Sequence, residues 1–299
     1  MGVALAQEGA FGFALQAEQG TYVAPTVWLP LMGGKRGETL QWKKNYVTLD
    51  MADGNDFESR YFGVGEWAEG EIVVPLVPGA LTALLSWVQD RDQDNQGKWA
   101  SVVVDCVNEV KKVTDCKVRR MTLDLVKGQP VTATLSVAAL KMESGVPGAV
   151  SIPSAAPYLY RESTVQIASG GGALEEDVNC EQVRIVIENM VEDPAEGLRL
   201  VSGSNPRHLY NLSGVRCRGA ISRDFVDTEL YADFAAGREA ALSIELARGA
   251  SAATISLPRV LYTESDMGLP GSHEQRIVET VQFLGLGSVD GLTAPVVLA

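Results

Sequence analysis

The chain has 299 residues, and 46% of them are hydrophobic, which is enough to bury a core and excludes global disorder. Its 38 acidic residues outnumber 25 Lys and Arg, and the formal net charge is −13 at pH 7. Proteins that grip nucleic acid neutralise phosphates with clustered basic side chains, so this charge balance argues against a DNA-binding protein and against adsorption to anionic membranes.

The first 20 residues and the cysteines carry no targeting or redox signal. The N-terminal stretch lacks a basic segment and contains Glu8 and Glu18, so no signal peptide is predicted. No stretch reaches the roughly 18 apolar residues that a membrane-spanning helix needs. The 4 cysteines form no C-x-x-C pair, and we expect reduced thiols.

Strands dominate the predicted secondary structure. Runs rich in β-branched residues, or alternating between apolar and polar residues, predict strands. In the first half these runs cover residues 39–43, 71–75, 101–107, 120–126 and 131–140. The Lys127–Gly128 pair between the last two runs predicts a hairpin turn. In the second half the runs cover residues 181–187, 241–246 and 277–284.

Only two short segments have helical periodicity. In residues 78–88, the side chains of Leu81, Leu84, Leu85 and Val88 fall on one helical face. In residues 227–236, Asp227 is a candidate N-cap and Gly237 a candidate stop. Leu230, Tyr231 and Phe234 are expected to share one face of this second helix.

The two halves of the chain align with each other. A spacing of 149 residues pairs Tyr61 with Tyr210, Gly65 with Gly214, Gly70 with Gly219, Ile72 with Ile221 and Leu81 with Leu230. After the helix the first half carries extra residues, 90–98, and the spacing falls to 140. At that spacing Val102, Val104 and Cys106 pair with Leu242, Ile244 and Leu246. The order of predicted elements is the same in both halves, which favours a duplication.

The predicted fold class is therefore mainly β, with two tandem β-sandwich or barrel domains that each carry one short flanking α-helix. The first domain is expected over residues 1–144 and the second over residues 173–299. Between them, residues 145–172 are rich in Gly and Pro and predict a linker. Because only the first half has residues 90–98, we expect this insertion to decorate one surface of an assembly.

No constellation of residues predicts catalysis, a cofactor or a metal. Residues 90–97 space three Asp like a calcium loop, but Asn95 replaces the required Gly and Ser101 replaces the bidentate Glu. His208 lies in a predicted loop, where a lone His is usually solvated. The carboxylates near Asp53 have no His close by in the sequence to support acid–base chemistry. An enzyme is not predicted.

Several short motifs together carry a resemblance to a known family. They are Gly20-Thr-Tyr-Val-Ala-Pro25, Trp28-Leu-Pro30, Leu212-Ser-Gly214, Gly219-Ala-Ile-Ser-Arg223, Thr228-Glu-Leu-Tyr-Ala-Asp-Phe234, Ile255-Ser-Leu-Pro-Arg-Val260 and Val281-Gln-Phe-Leu284. In layout the chain resembles the major tail tube proteins of long-tailed bacteriophages, of the longer, two-domain type. The resemblance spans nearly the whole chain, although none of the motifs is specific alone.

This resemblance implies a structural virion protein that self-assembles into stacked rings, forming the hollow tail tube that conducts DNA into the host cell. A fused pair of tube domains implies a trimeric ring. The implied partners are the chain itself, a tape-measure protein, a tail terminator and distal tail proteins. DNA would pass without specific binding, and no membrane is involved. The implied location is the virion tail, after synthesis in the host cytoplasm.

In this family a long loop between early strands often reaches the neighbouring ring. Its counterparts here are residues 50–60 and 192–207, which makes Asp53, Asp56, Arg199 and Arg207 candidates for inter-ring contacts. The alternative is another virion β-module, such as a receptor- or carbohydrate-binding tail protein. Exposed aromatic loops would favour that alternative, but aromatic residues are only 7% of the chain.

Overall fold

The computed structural model describes residues 9–32, 37–48, 61–92, 94–106, 109–146, 149–198, 205–268, 276–288 and 294–298. The elements of the first half are β1 (Ala10–Gln16), β2 (Val27–Pro30), β3 (Gln41–Thr48), β4 (Tyr61–Pro75), α1 (Ala80–Gln89), β5 (Trp99–Asp105), β6 (Val110–Val126) and β7 (Thr132–Gly145). Those of the second half are β8 (Ser163–Ala168), β9 (Glu175–Glu176), β10 (Cys180–Val191), β11 (Asn211–Asp224), α2 (Glu229–Ala236), β12 (Glu239–Arg248), β13 (Ser251–Gly268), β14 (Val278–Gly285) and β15 (Val297–Leu298). The mainly β class is confirmed.

The strands of the two halves pair in the same order. In the first half the order is β1-β5-β6-β7-β4-β3, and in the second half it is β8-β12-β13-β14-β11-β10. Every neighbouring pair is antiparallel. At the margins, β2 adds to β1 and β9 adds to β8. Each half therefore has the same topology.

The strand register reproduces the spacing of 149 residues seen in the sequence. Gly70 of β4 lies opposite Val137, and Gly219 of β11 lies opposite Phe283. Both glycines are required by close approach. A Cβ at Gly70 would lie 2.5 Å from Leu40 Cα, and a Cβ at Gly219 would lie 2.2 Å from the Arg184 carbonyl oxygen.

Irregularities of the ladders also recur at matching places. The β5–β6 pairing has a bulge between Ala100 and Val102, and the β12–β13 pairing has one between Ala240 and Leu242. Bulges insert an extra residue and bend the strand, so they are specific features of a fold. Because they recur at the predicted spacing of 140 residues, these strands of the two halves correspond residue by residue.

Both helices form where their periodicity predicts them. In α1 the predicted face of Leu81, Leu84, Leu85 and Val88 is buried. In α2 Leu230 is buried, whereas Tyr231 is exposed and its ring centroid lies 6.2 Å from that of Phe234. This helix has only 8 residues and packs on β13 along a narrow stripe, which leaves Tyr231 outside.

The C-terminal end of α2 follows the prediction, whereas the N-cap is Thr228 and not Asp227. The Asp227 carboxylate accepts a hydrogen bond of 3.0 Å from the Glu229 amide at the start. At the other end, Gly237 adopts a left-handed conformation with φ of 62°. Neither helix in the described residues is long and apolar enough to cross a membrane.

Two connections between strands show where local sequence reasoning holds and where it is incomplete. The predicted turn after β6 is present, with Gly128 at φ of 78° and a 3.0 Å hydrogen bond from the Gln129 amide to the Val126 carbonyl. The segment predicted as a linker contains β8, which pairs with β12. Only Val165, Ile167 and Ala168 of β8 are buried, so its periodic signal was too short to register.

Candidate functional site: the joint between the halves and the free strand edges

The two halves merge through one strand pairing. Residues 182–188 of β10 lie antiparallel to residues 120–126 of β6, from Gln182 opposite Val126 to Glu188 opposite Arg120. We call this pairing the joint. β7 occupies the other edge of β6, and β5 pairs with β6 only as far as Cys116. The joint therefore fills the edge that β5 leaves open and produces one continuous sheet.

The covered face of the joint is part of one hydrophobic core. The buried side chains alternate along both strands, namely Val183, Ile185 and Ile187 on β10 and Met121, Leu123 and Leu125 on β6. Burying each such side chain contributes roughly 1.5–3 kcal/mol. Apolar burial therefore supplies most of the energy of the joint, and its period fixes which face is covered.

The solvent face of the joint carries paired charges. The Glu188 carboxylate accepts hydrogen bonds from Arg120 at 2.8 Å and from Arg218 at 2.7 Å. Beside it, Arg184 donates to Asp124 at 2.6 Å. Exposed pairs of this kind contribute about 0–1 kcal/mol each, so their main effect is on register and partner choice.

A buried lysine lies near the end of the joint. Lys117 of β6 is 1% exposed, and its ammonium donates to the Leu209 carbonyl at 2.7 Å and to Asn211 Oδ1 at 2.8 Å. It also lies 4.4 Å from the centroid of the Trp99 ring. Burial lowers the pKa of Lys117 to about 8. The ammonium thereby ties the first half to the segment that leads into β11.

The insertion at residues 90–98 also lies at the joint. The Gly97 amide donates to Asn211 Oδ1 at 3.0 Å, and the Asn211 amide donates to Gln96 Oε1 at 2.7 Å. Arg91 donates to Asn189 Oδ1. The insertion thus contacts both β10 and β11. Although only the first half has it, the insertion strengthens the contact between the two halves.

The Asp-rich part of this insertion satisfies its own backbone. Asp92 Oδ1 accepts from the amides of Asp94 and Gln96 at 3.0 and 2.8 Å. Asn95 takes the left-handed conformation with φ of 59°. Among the described residues no group of His, Cys, Asp and Glu is arranged to hold a metal ion. These contacts describe a loop held by Asx-type turns.

Several strand edges remain unpaired among the described strands, and two of them correspond to the edges that the joint uses. β3 pairs with β4 on one side only, and β13 continues to Gly268 after its last pair with β12 at Leu261. We call residues 41–43 the β3 edge and residues 264–266 the β13 edge. In the described part of the chain, Ser265 Oγ on the β13 edge is buried without a hydrogen-bond partner. Open edges of this kind are templates for pairing with another chain.

The family model that describes phage tail tube proteins matches residues 6–285 of this chain. The chain belongs to the phage tail tube protein family. It is a structural component of the virion tail that associates with copies of itself and with other tail components.

Other comparisons add little to this assignment. No curated protein matches the tail tube chain. Among solved structures, it is similar to a chain of the cryo-EM structure of the anti-feeding prophage baseplate, 6-fold symmetrised, with 15% identity and a TM-score of 0.32. That match covers 52% of this chain and 97% of the other. A similarity this low carries no structural argument.

Three of the four predicted inter-ring residues lie outside the part of the chain that the structure describes. Asp53, Asp56 and Arg199 lie outside the described residues. Arg207 of the tail tube chain is exposed, and its backbone amide donates to the Gly197 carbonyl at 3.3 Å. Its carbonyl accepts a 2.8 Å hydrogen bond from Gln19, which brings the loop against the N-terminal segment.

His208, next to Arg207, differs from the sequence expectation of a solvated side chain. The centroid of its ring lies 5.1 Å from that of the Trp99 ring and 4.2 Å from that of the Tyr210 ring. Its Nδ1 lies 2.6 Å from Gln19 Oε1. Burial and the charge of Lys117 lower the pKa of His208. The imidazole therefore serves as a packing group, a role that an isolated His in a loop sequence does not reveal.

Sequence reasoning missed an apolar tip at the end of the β3–β4 pair. Tyr61 and Phe62 are 71% and 51% exposed, and Tyr46 packs edge-on to Tyr61 with ring centroids 5.5 Å apart. Exposed aromatic clusters mark contact surfaces. The sequence does contain a signal for this tip, because two aromatic residues directly follow the predicted long loop.

Proposed function

We propose that three copies of this chain close into a ring, and that the rings stack into the hollow tube through which DNA passes to the host cell. The observation that carries the proposal is the identical pairing order of the two halves together with the joint. A joint between unlike edges of like units is a heterologous contact, and heterologous contacts that repeat with a rotation close into rings.

The β3 edge and the β13 edge are of the two kinds that the joint uses. The partner of β11 in the second half is β10, and the partner of β4 in the first half is β3, so the β3 edge corresponds to the β10 side of the joint. Likewise, the β13 edge corresponds to the β6 side. A chain therefore ends in two unused halves of a joint, which suits pairing with the next chain.

Domain boundaries follow from the same correspondence. We assign the first tube domain to residues 1–144 and the main part of the second to residues 173–299, with residues 145–172 as the connecting segment that also supplies β8. Within that connecting segment, β8 pairs with β12 as β1 pairs with β5. β8 therefore completes the sheet of the second domain, and the rest of the segment is the linker.

The open face of the continuous sheet suits passage of DNA without specific binding. Three arginines at the joint, Arg120, Arg184 and Arg218, each lie within 2.8 Å of a carboxylate oxygen. The net charge of −13 repels phosphates, and at 0.1 M salt this field extends only about 10 Å. Such a wall repels DNA at contact without barring its entry, and we assign the chain no catalytic activity.

Contacts between rings are assigned to the long loops, with Asp53, Asp56, Arg199 and Arg207 as the contact residues. Opposite charges on the two loops would face each other across the ring interface. The variant Arg207→Glu should then leave single rings intact and shorten or abolish tubes, while Arg161→Glu, also on an exposed arginine, serves as the matched control. Equal tube lengths in both variants would remove Arg207 from the assignment.

The remaining partners follow from the role of a tube. A tape-measure protein would occupy the lumen during assembly, and a tail terminator and distal tail proteins would cap the two ends. Synthesis would occur in the host cytoplasm before incorporation into the virion. Co-purification of these proteins with tubes from infected cells tests this part.

Negative-stain electron microscopy of the purified full-length chain tests the proposed function. Rings with a central hole, and stacks of them at high protein concentration or after seeding with native tails, are the expected result. A chain that stays monomeric under both conditions would contradict the proposal.

A further inference from the structure

The corresponding bulges give a residue-level match between β6 and β13. In the β6–β7 pairing, Val118 lies opposite Val137 and a bulge precedes Arg120. In the β13–β14 pairing, Tyr262 lies opposite Phe283 and a bulge precedes Glu264. Arg120 of the joint therefore has Glu264, on the β13 edge, as its counterpart.

Residues of β10 likewise correspond one by one to residues of β3. Glu188 lies opposite Arg216 of β11, and Lys43 lies opposite Trp67 of β4. Arg216 and Trp67 are separated by the repeat spacing of 149 residues, so Lys43 is the counterpart of Glu188. Arg218, the second arginine that contacts Glu188, has Glu69 as its counterpart at the same spacing.

These three positions form a triad in the joint, and the counterpart triad has every charge reversed. In the joint, Glu188 is held between Arg120 and Arg218. The counterparts are Glu264, Lys43 and Glu69. One of the two ion pairs of the reversed triad already exists within one chain, because Lys43 forms an ion pair with Glu69. Glu264 lies on the free edge, where Gln282 donates to it at 2.6 Å.

We propose that the β3 edge of one chain pairs with the β13 edge of the next, with Lys43 of the first chain between its own Glu69 and Glu264 of the second. This inference rests on the proposed ring. Transfer of the register of the joint places Lys43 opposite Glu264, Trp42 opposite Ser265 and Gln41 opposite Asp266. We call this contact the seam.

The backbone groups of the β3 edge point the right way for this register. The Thr39 amide donates to the Glu71 carbonyl at 2.8 Å, so Thr39 and Gln41 face β4 and the amide of Trp42 faces outward. In the joint, the Lys127 amide donates to the Glu181 carbonyl at 3.0 Å, and the alternation makes Ile187, the counterpart of Trp42, a hydrogen-bonded position.

Hydrogen bonds within the chain limit the length of the seam. The Leu40 amide donates to Glu38 at 2.8 Å, and Lys111 donates to the Leu40 carbonyl at 2.8 Å. Leu40 is the next outward-facing residue before Trp42, and these two hydrogen bonds already satisfy its backbone amide and carbonyl. The seam therefore begins at Trp42, and its register depends on fewer backbone hydrogen bonds than that of the joint.

Charge reversal then acts as a guard against wrong pairings. If the β3 edge paired with β6 of another chain, Lys43 would face Arg120. If β10 paired with the β13 edge, Glu188 would face Glu264. Like charges directly opposite each other destabilise a strand pair, whereas the seam and the joint each bring unlike charges together. The charge reversal therefore favours the joint within a chain and the seam between chains over the two mixed pairings.

Cysteine cross-linking tests the register directly. Gln41→Cys with Asp266→Cys places one cysteine on each side of the seam at a non-hydrogen-bonded pair, where Cα atoms are about 4.5 Å apart and a disulfide fits. After mild oxidation of assembled rings, a denaturing gel without reductant should show covalent dimers and trimers that disappear on reduction.

Two control pairs separate geometry from assembly. Thr122→Cys with Val186→Cys is the counterpart in the joint, and it should close within each chain even in monomers. Gln41→Cys with Glu264→Cys is displaced by two residues, beyond disulfide reach at a diagonal of about 7–8 Å, and should leave monomers. Rings in which the joint pair closes while the Gln41–Asp266 pair stays monomeric would overturn the seam and leave the proposed ring standing.

Charge variants test the guard without new thiols. Glu264→Lys sets two lysines against each other, so the protein concentration needed for ring formation at low salt should rise about tenfold, and less at high salt. The triple variant Lys43→Glu, Glu69→Arg, Glu264→Arg recreates the triad of the joint and should restore assembly. Wild-type assembly by Glu264→Lys at low salt would overturn the seam, while failure of the wild-type chain to form rings would instead refute the proposed function.

Discussion

The two halves share a topology, but a buried apolar pair in the first half corresponds to a buried charged pair in the second. In the first half, Val74 of β4 lies opposite Ala133 of β7, and both are fully buried. At the corresponding place in the second half, Arg223 of β11 lies opposite Glu279 of β14. The strand order, the close-approach glycines and the bulges are common to both halves, so they specify the fold, whereas this interior pair is replaceable.

The charged version of this position is a small buried network. Arg223 donates to Glu279 at 3.1 Å and to Asp227 at 2.8 Å, and it lies 3.8 Å from Asp177. Glu279 is fully buried, and burial raises the pKa of its carboxyl despite the arginine. Such a network is expensive to desolvate, and its integrity depends on every member.

The largest effect is expected from breaking this network. Arg223→Val introduces the residue of the first half and leaves Glu279 and Asp177 buried without their cation. Removing one partner of a buried pair costs about 3–5 kcal/mol, so the midpoint of urea unfolding should fall sharply. Val74→Ala, at the corresponding position, is the control and should cost much less.

The double variant Arg223→Val with Glu279→Ala completes the exchange of the pair. It should be more stable than Arg223→Val alone, because one unpaired buried carboxylate is gone. If the two substitutions were additive in urea unfolding, the pair would not be coupled, and the interior difference between the halves would have another cause.

A second prediction concerns what the halves share. Gly70→Ala and Gly219→Ala should each destabilise the chain, by about 1–3 kcal/mol or more, because the new Cβ meets the backbone of a neighbouring strand. Gly214→Ala should be close to neutral, since no atom lies within 4 Å of the added Cβ. Thermal unfolding of the three variants measures this, and tolerance at only one of Gly70 and Gly219 would show that the halves do not use them alike.

The smallest effect is a pH dependence at Lys117, whose counterpart in the second half is Leu261. Folding lowers the pKa of Lys117 from 10.5 to about 8, so between those values the unfolded chain binds more protons. Stability from this group therefore rises with pH above about 8, by at most about 1.4 kcal/mol per pH unit.

Comparison with a variant isolates the contribution of Lys117 to the free energy of unfolding. The difference in unfolding free energy between wild type and Lys117→Met should grow in favour of wild type from pH 7.5 to pH 9.5. A constant difference across this range would mean that Lys117 is not desolvated as the structure places it.

Local sequence signals predicted most of the individual elements. The period of α1, the turn at Lys127–Gly128 and the spacing between Gly70 and Gly219 are all carried by residues near in the chain or repeated at a fixed distance. These signals depend on propensity, on glycine conformation and on self-similarity, which a single sequence contains.

The joint could not be predicted in this way. β6 and β10 are apolar on one face and polar on the other, as most half-buried strands are, and alternation does not say which strand lies beside which. β8 was hidden in a segment rich in Gly and Pro. The predicted inter-ring residues Asp53, Asp56 and Arg199 lie outside the described residues, so they stay predictions.

The mass of a single ring tests the central claim most directly. Native mass spectrometry of rings should give three times the chain mass of 32.0 kDa, because each chain supplies two domains of a ring with six. A ring of six chains would contradict the account, since the joint would then not stand in for a contact between subunits.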